Sequence, residues 1–168
     1  MGKAFVAVFG FLALLLLGCA GIGGGQQAPV AAKGDTVTVD YVGTLDNGTV
    51  FDASIESGRE PISFVVGAGQ MIKGFDAAVV GMKVGDTKNV RIAPEDAYGQ
   101  WSADMVASVP RANVHGNVTV GSVLQSSDGL TGIVTEITDT TVKLDFNSPL
   151  AGKALNFRIS MRNITKAG

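Results

Sequence analysis

The chain has 168 residues, 46% of them hydrophobic but only 7% aromatic, so any core must be mostly aliphatic. Charged residues make up 17%, the formal net charge is −2, and Lys and Arg form no cluster, which removes the electrostatic case for a nucleic-acid partner. One His excludes a metal site built on several histidines, and one Cys excludes an internal disulfide.

Lys3 gives a short positive start, and residues 4–17 follow as a nearly unbroken apolar run. At about 14 residues this run falls short of the roughly 20 needed to span a bilayer, and it has the length of a signal-peptide core. It ends in Leu16-Leu17-Gly18-Cys19, which resembles a lipoprotein cleavage box. Residues 1–19 are therefore expected to be a lipoprotein signal peptide with Cys19 as the lipidated residue. The protein would then be exported to the cell envelope and anchored to a membrane by lipid. An incidental cysteine in an ordinary secretory signal is the plainer alternative. Residues 20–32, rich in Gly and uncharged, read as a flexible tether. The folded domain is expected to begin near Lys33.

Residues 36–45 alternate, with Val37, Val39 and Tyr41 on one face and Thr36, Thr38 and Asp40 on the other, predicting a half-buried strand. Asn47-Gly48 then signals a hairpin, because both residues tolerate positive φ. A return strand over 49–52 and an apolar stretch over 62–66 follow. Residues 74–82 place Phe75, Ala78, Val79 and Met82 at helical spacing, predicting one brief helix. Residues 89–93 read as a strand ended by Pro94. From Gln100 onward Ser and Thr become frequent, with short strands expected at 132–138 and 141–146. Leu155, Phe157, Ile159 and Met161 alternate in a last strand.

The residues alone supply neither a nucleophilic triad nor a phosphate loop. They suggest a pocket of apolar residues with a few polar ones near turns, without naming its ligand. Tyr41, Phe51, Phe75 and Phe157 would each read as plain core, Asp52 as a turn residue and Tyr98 as a turn anchor.

Five segments change that reading: Val39-Asp40-Tyr41-Val42-Gly43, Gly48-Thr49-Val50-Phe51-Asp52-Ala53-Ser54, Pro61-Ile62-Ser63-Phe64-Val65-Val66-Gly67, Gln70-Met71-Ile72-Lys73-Gly74-Phe75-Asp76-Ala77-Ala78-Val79 and Pro94-Glu95-Asp96-Ala97-Tyr98-Gly99. In this order they resemble the FKBP family of peptidyl-prolyl cis-trans isomerases. Residues 147–157, from Asn147-Ser148-Pro149-Leu150 to Phe157, resemble the closing segment of its SlyD-like branch, in which an insert-in-flap domain interrupts the isomerase domain. That branch often has His where Ser148 stands. No His- and Cys-rich tail follows the last strand, so nickel handling is not implied.

The resemblance implies an α+β fold, an antiparallel sheet wrapped on one short helix, with a small inserted β-rich domain. Residues 33–99 and 145–168 would form the isomerase domain, and residues 100–144 an inserted chaperone domain. It implies Asp52 and Tyr98 as catalytic residues that orient or polarise the twisting amide. Tyr41, Phe51, Ile62, Met71, Ile72, Phe75 and Phe157 would bind substrate, with Phe75 as the floor and the Ile72 N–H holding a substrate carbonyl. No cofactor or metal is expected. Expected partners are unfolded or partly folded proteins with X-Pro bonds, with macrolide inhibitors of the FKBP type as candidate ligands, and a monomer is expected. A non-catalytic holdase and an apolar-ligand-binding envelope lipoprotein are the alternative readings.

Overall fold

The structure, a computed structural model, describes residues 28–55, 59–126 and 128–168. The expected signal peptide, Cys19 and most of the expected tether lie outside the described residues.

Strand β1 (Thr36–Leu45) is the centre of a five-stranded antiparallel sheet. One edge is shared by two partners. Its first half pairs with β3 (Ile62–Val65), from Thr36↔Val65 to Val39↔Ile62, and its second half pairs with β2 (Val50–Ala53). The other edge pairs along its whole length with the last strand, β9 (Leu155–Thr165), which in turn pairs with β4 (Thr87–Ile92). Helix α1 (Lys73–Val79) packs on β4 and β9 and buries Phe75, Ala78 and Val79. The expected α+β fold, an antiparallel sheet wrapped on a short helix, is the one observed.

The alternation expected of β1 holds for Val37, Val39 and Tyr41, all buried, but Asp40 on the opposite face is buried too. Its carboxylate accepts a hydrogen bond from the Ser54 hydroxyl at 3.2 Å and pairs with the Arg162 guanidinium, so the buried charge is compensated. Between Thr38 and Val39 the register shifts by one residue on β9, a bulge that leaves Arg162 without a ladder partner.

The turn at Asn47-Gly48 forms, but by another geometry. Among the described residues only glycines have positive φ, so Asn47 keeps negative φ while Gly48 takes φ 84°. Gly48 N–H donates to the Leu45 carbonyl, Leu45 N–H to the Thr49 carbonyl, and the Asn47 side chain accepts from Thr49 N–H. The helix also stops short of the expected Met82: Gly81 turns the chain at φ 84°, and Met82 is buried beyond the helix.

The fold takes in the end of the expected tether. Ala31 N–H donates to the Met82 carbonyl, Gly81 N–H donates to the Ala31 carbonyl, and Ala31 is 1% exposed. Asp35 is buried and accepts from Lys166 Nζ at 2.6 Å, Ala32 N–H and Ala167 N–H, tying the start of the domain to its last residues. Val30 and Ala31 thus pack and hydrogen-bond with the domain expected from Lys33 onward.

A second, four-stranded sheet comprises β5 (Val106–Pro110), β6 (Val123–Gln125), β7 (Thr131–Ile137) and β8 (Thr141–Asp145), in the order β5-β8-β7-β6. Its small core centres on Val134, Val142 and Leu144, against which Val109, Leu124, Ile137 and Phe146 pack. The sheet thus runs past residue 144. Where the chain leaves and re-enters the first sheet, Gly152 N–H donates to the Gly99 carbonyl. Ser102 N–H donates to the Asn147 side-chain oxygen, and the Asn147 amide donates back to the Ser102 carbonyl.

Gly74 gives a test in which two effects oppose each other. Alanine favours a helix over glycine by roughly 0.5–1 kcal/mol. A Cβ at Gly74, however, would lie 2.3 Å from Cγ2 of the buried Ile92. Overpacking of this kind costs about 1–3 kcal/mol, so the clash should win. Gly74→Ala should lower the Tm by about 2–8 °C in a calorimetric scan, whereas a raised Tm would show that Ile92 yields freely.

Candidate active site

Alternation carries Tyr41 to the inner face of β1 and Phe157 to the inner face of β9, while α1 buries Phe75 between them. Phe51 and Asp52 come from β2, Tyr98 from the turn after Pro94–Asp96, and Gln70, Met71 and Ile72 from the loop into α1. Together these nine residues line a cavity of about 450 Å³. Eight are residues expected at the site. Ile62 is not among the lining residues: it pairs with Val39 and packs against the main core. The sequence analysis missed Gln70. Its side-chain oxygen accepts from Val65 N–H at 2.8 Å, fastening the loop to the end of β3.

The floor is an aromatic cluster around Phe75, which is 0% exposed. Phe75 meets Phe157 edge-on, with ring centroids 5.1 Å apart at 83°, and Tyr41 edge-on at 5.9 Å and 85°. Phe51 stands perpendicular to Phe157 at 5.6 Å. Such edge-to-face contacts add to the burial of the rings and fix their tilt. Gly43 makes room for them, since a Cβ there would lie 2.7 Å from Phe51 Cζ and 3.0 Å from Phe157 Cε1.

The polar groups gather on one wall. Tyr41 Oη donates to Asp52 Oδ2 at 2.5 Å, and the Arg59 guanidinium pairs with the other carboxylate oxygen, which also accepts from Ala53 N–H. Burial alone would raise the Asp52 pKa. The Tyr41 and Arg59 hydrogen bonds and the Arg59 charge outweigh it and hold the carboxyl below its usual range. Tyr41 is pushed up to about 12, first by burial and then by its bond to Asp52. Arg59 was not legible beforehand, because nothing in its spacing from Asp52 marks the contact. The Tyr98 side chain is about half exposed at the rim. Neither its hydroxyl nor the Ile72 N–H has a hydrogen-bond partner among the described residues. A groove of about 510 Å³ on the outer face of the sheet, around Val42, Thr44 and Arg158, is larger. The aromatic cavity is the better candidate because apolar walls, convergent polar groups and displaced titrations coincide there. Among the described residues, no group of three or more His, Cys, Asp or Glu could hold a metal ion.

The Tyr41 shift has a definite sign. Its neutral form is favoured in the folded state, so the stability it adds is present below pH 10 and is lost as pH rises toward about 12. The chain has two tyrosines, so Tyr98→Phe leaves Tyr41 as the only one. In that variant the tyrosinate absorbance should reach half its rise near pH 12, and Asp52→Ala should move it part of the way back toward 10. Half-titration at 10 would mean that the Tyr41 hydroxyl is not held as described.

Residues 28–160 match the family model described as FKBP-type peptidyl-prolyl cis-trans isomerase. A short-type peptidyl-prolyl cis-trans isomerase of Methanocaldococcus jannaschii is 39% identical over 150 residues, covering 80% of this chain and 94% of that protein. A probable FKBP-type 16 kDa isomerase of Pseudomonas fluorescens is 34% identical over 133 residues, covering 76% and 87%. The SlyD isomerase of Aeromonas hydrophila is 33% identical over 135 residues, covering 78% and 63%. With most of its length matched and its aromatic cavity assembled from the matching segments, this chain belongs to the FKBP-type peptidyl-prolyl cis-trans isomerase family.

Proposed function

We propose that the chain isomerises X-Pro bonds of unfolded or partly folded proteins in the aromatic cavity, in the cell envelope, and that its second sheet holds the unfolded client. The observation that carries the catalytic reading is the cavity floored by Phe75 and walled by Tyr41, Phe51 and Phe157, with one ionised carboxylate, Asp52, fixed at its side.

Rotation about a peptide bond costs about 18–20 kcal/mol because the C–N bond has partial double-bond character. X-Pro bonds occupy both isomers and exchange in tens to hundreds of seconds, slowly enough to limit folding. In the twisted transition state amide resonance is lost, and the group is less polar than when planar. A cavity walled by aromatic rings removes water that would favour the planar form, and so binds the twisted form better. Asp52, ionised at neutral pH and held by Tyr41 and Arg59, keeps the polar wall in one orientation. The Tyr98 hydroxyl and Ile72 N–H, unengaged among the described residues, are donors for the substrate carbonyl. No proton needs to leave the substrate, so the chemistry requires no acid–base pair.

The envelope assignment rests on the apolar run and Leu16-Leu17-Gly18-Cys19. On this reading the Gly-rich, uncharged residues 20–32 are the tether between Cys19 and the fold. The chaperone role rests on the second sheet following the rim residue Tyr98 in the chain, on exposed Val123 within that sheet and on exposed Val120 and Leu130 in the loops beside its strands.

In a protease-coupled assay on an X-Pro tetrapeptide, Asp52→Ala should lower kcat/KM by about 10- to 100-fold, the ~1–3 kcal/mol expected for a lost orienting partner, and leave the domain folded. Phe75→Ala should remove activity and also cost roughly 3–5 kcal/mol of stability. Activity should stay flat between about pH 6 and 8, because Asp52 titrates below and Tyr41 near 12, outside that window. A bell-shaped profile there would require an acid–base group in the mechanism. Cys19→Ala should lose the lipid mass and leave the membrane fraction. Equal retention would assign the anchor elsewhere.

A further inference from the structure

We propose that Trp101 is a second contact for the polypeptide whose proline enters the cavity, a fixed aromatic platform for residues flanking the isomerising bond. The proposal rests on the cavity being the isomerase site.

Trp101 is the only tryptophan in the chain, and 52% of it is exposed. An indole that open would ordinarily move among rotamers, but this one is pinned. Its Nε1–H donates to Asp145 Oδ2 at 3.1 Å, and Asp145 is itself fixed by the Asn147 N–H at 2.8 Å and the Asn147 side-chain amide at 2.7 Å. The Trp101 bond is the largest cause of the lowered Asp145 pKa. At its base Trp101 lies close against Gly152, where an added Cβ would be 3.5 Å from the Trp101 Cβ. The polar edge of the ring is therefore satisfied while much of the apolar side chain faces water. A ring already held in place binds a partner with little further loss of rotamer freedom.

Its position selects the partner. Trp101 follows Tyr98 of the cavity rim by three residues, which limits their Cα separation to about 11 Å. An extended peptide advances about 3.3–3.6 Å per residue, so a residue roughly three places from the proline reaches it. Tyr98, Trp101 and Met105, 48%, 52% and 41% exposed, lead from the cavity rim to the start of the second sheet. Trp101 also lines a concavity of about 410 Å³ with Ala103, Val106, Thr135, Lys143 and Asp145. A chain running from the cavity toward that sheet meets the ring on its way.

The test compares an X-Pro tetrapeptide with two peptides that carry the same core and four added residues, on the N-terminal side in one and the C-terminal side in the other. In wild type at least one extended peptide should change Trp101 fluorescence on titration, and the tetrapeptide should not. Trp101→Ala should lower the kcat/KM ratio of that extended peptide to the tetrapeptide by about three- to tenfold. The change should appear in KM rather than kcat, because the contact exists before the bond twists. Trp101→Phe, which keeps a ring, should retain most of the ratio, and circular dichroism checks the fold of both variants. An unchanged ratio with silent fluorescence for both extended peptides would overturn the proposal. If wild type fails to turn over the tetrapeptide, the isomerase reading fails instead, and the fluorescence titration still decides whether bound peptide touches Trp101.

Discussion

The ladder between β1 and β9 runs unbroken in direction from Thr36↔Thr165 to Leu45↔Leu155, and its register decides which side chains meet. It sets Gly43 opposite Phe157 and Tyr41 opposite Ile159. A slip of one residue between the strands would put Tyr41 and Phe157 on opposite faces of the sheet. The bulge at Thr38/Val39, the pairing of buried Asp40 with Arg162 across the same two strands and the Asp35–Lys166 bond near their ends all hold that register. α1 and the cavity can form only on the face so defined.

Packing and chemistry share the same atoms here. Phe75 is at once the best-buried aromatic of the main core and the floor of the cavity. Gly43 is required because two rings lie over it, and those rings are cavity walls. The polar wall differs. Asp52 and Arg59 are partly exposed, so their pairing is screened by solvent and contributes orientation more than stability. Stability and activity are therefore coupled on the apolar side of the site and separable on the polar side.

Period-two patterning made β1 and β9 legible, and a short apolar periodicity made α1 legible, because burial on one face writes itself into sequence. The grouping of Tyr41, Phe51, Asp52, Met71, Ile72, Phe75, Tyr98 and Phe157 was legible through family resemblance, since residues 116 positions apart share no local pattern (157 − 41 = 116). What was not legible depends on tertiary contacts. Asp40 looks like a solvated strand residue until Arg162 and Ser54 cover it. Ile62 sits beside Val39 while the loop carrying Gln70 supplies the cavity wall. Asn47 keeps negative φ while its side chain accepts from Thr49 N–H, so Gly48 alone takes the positive φ of the turn.

The long pairing of β1 with β9 has a kinetic side. Thr36 and Thr165 are partners separated by 129 residues (165 − 36 = 129). Contacts of such range make for slow folding, since a long loop must close before the contact repays the closure. During synthesis at about 5–20 residues per second, the central strand waits roughly 6–26 s for its main partner to be made. Until then its edge toward β9 has no partner from that strand, and the aromatic floor cannot assemble. Closure of the first sheet, and with it the site, is therefore a late event in the making of the domain.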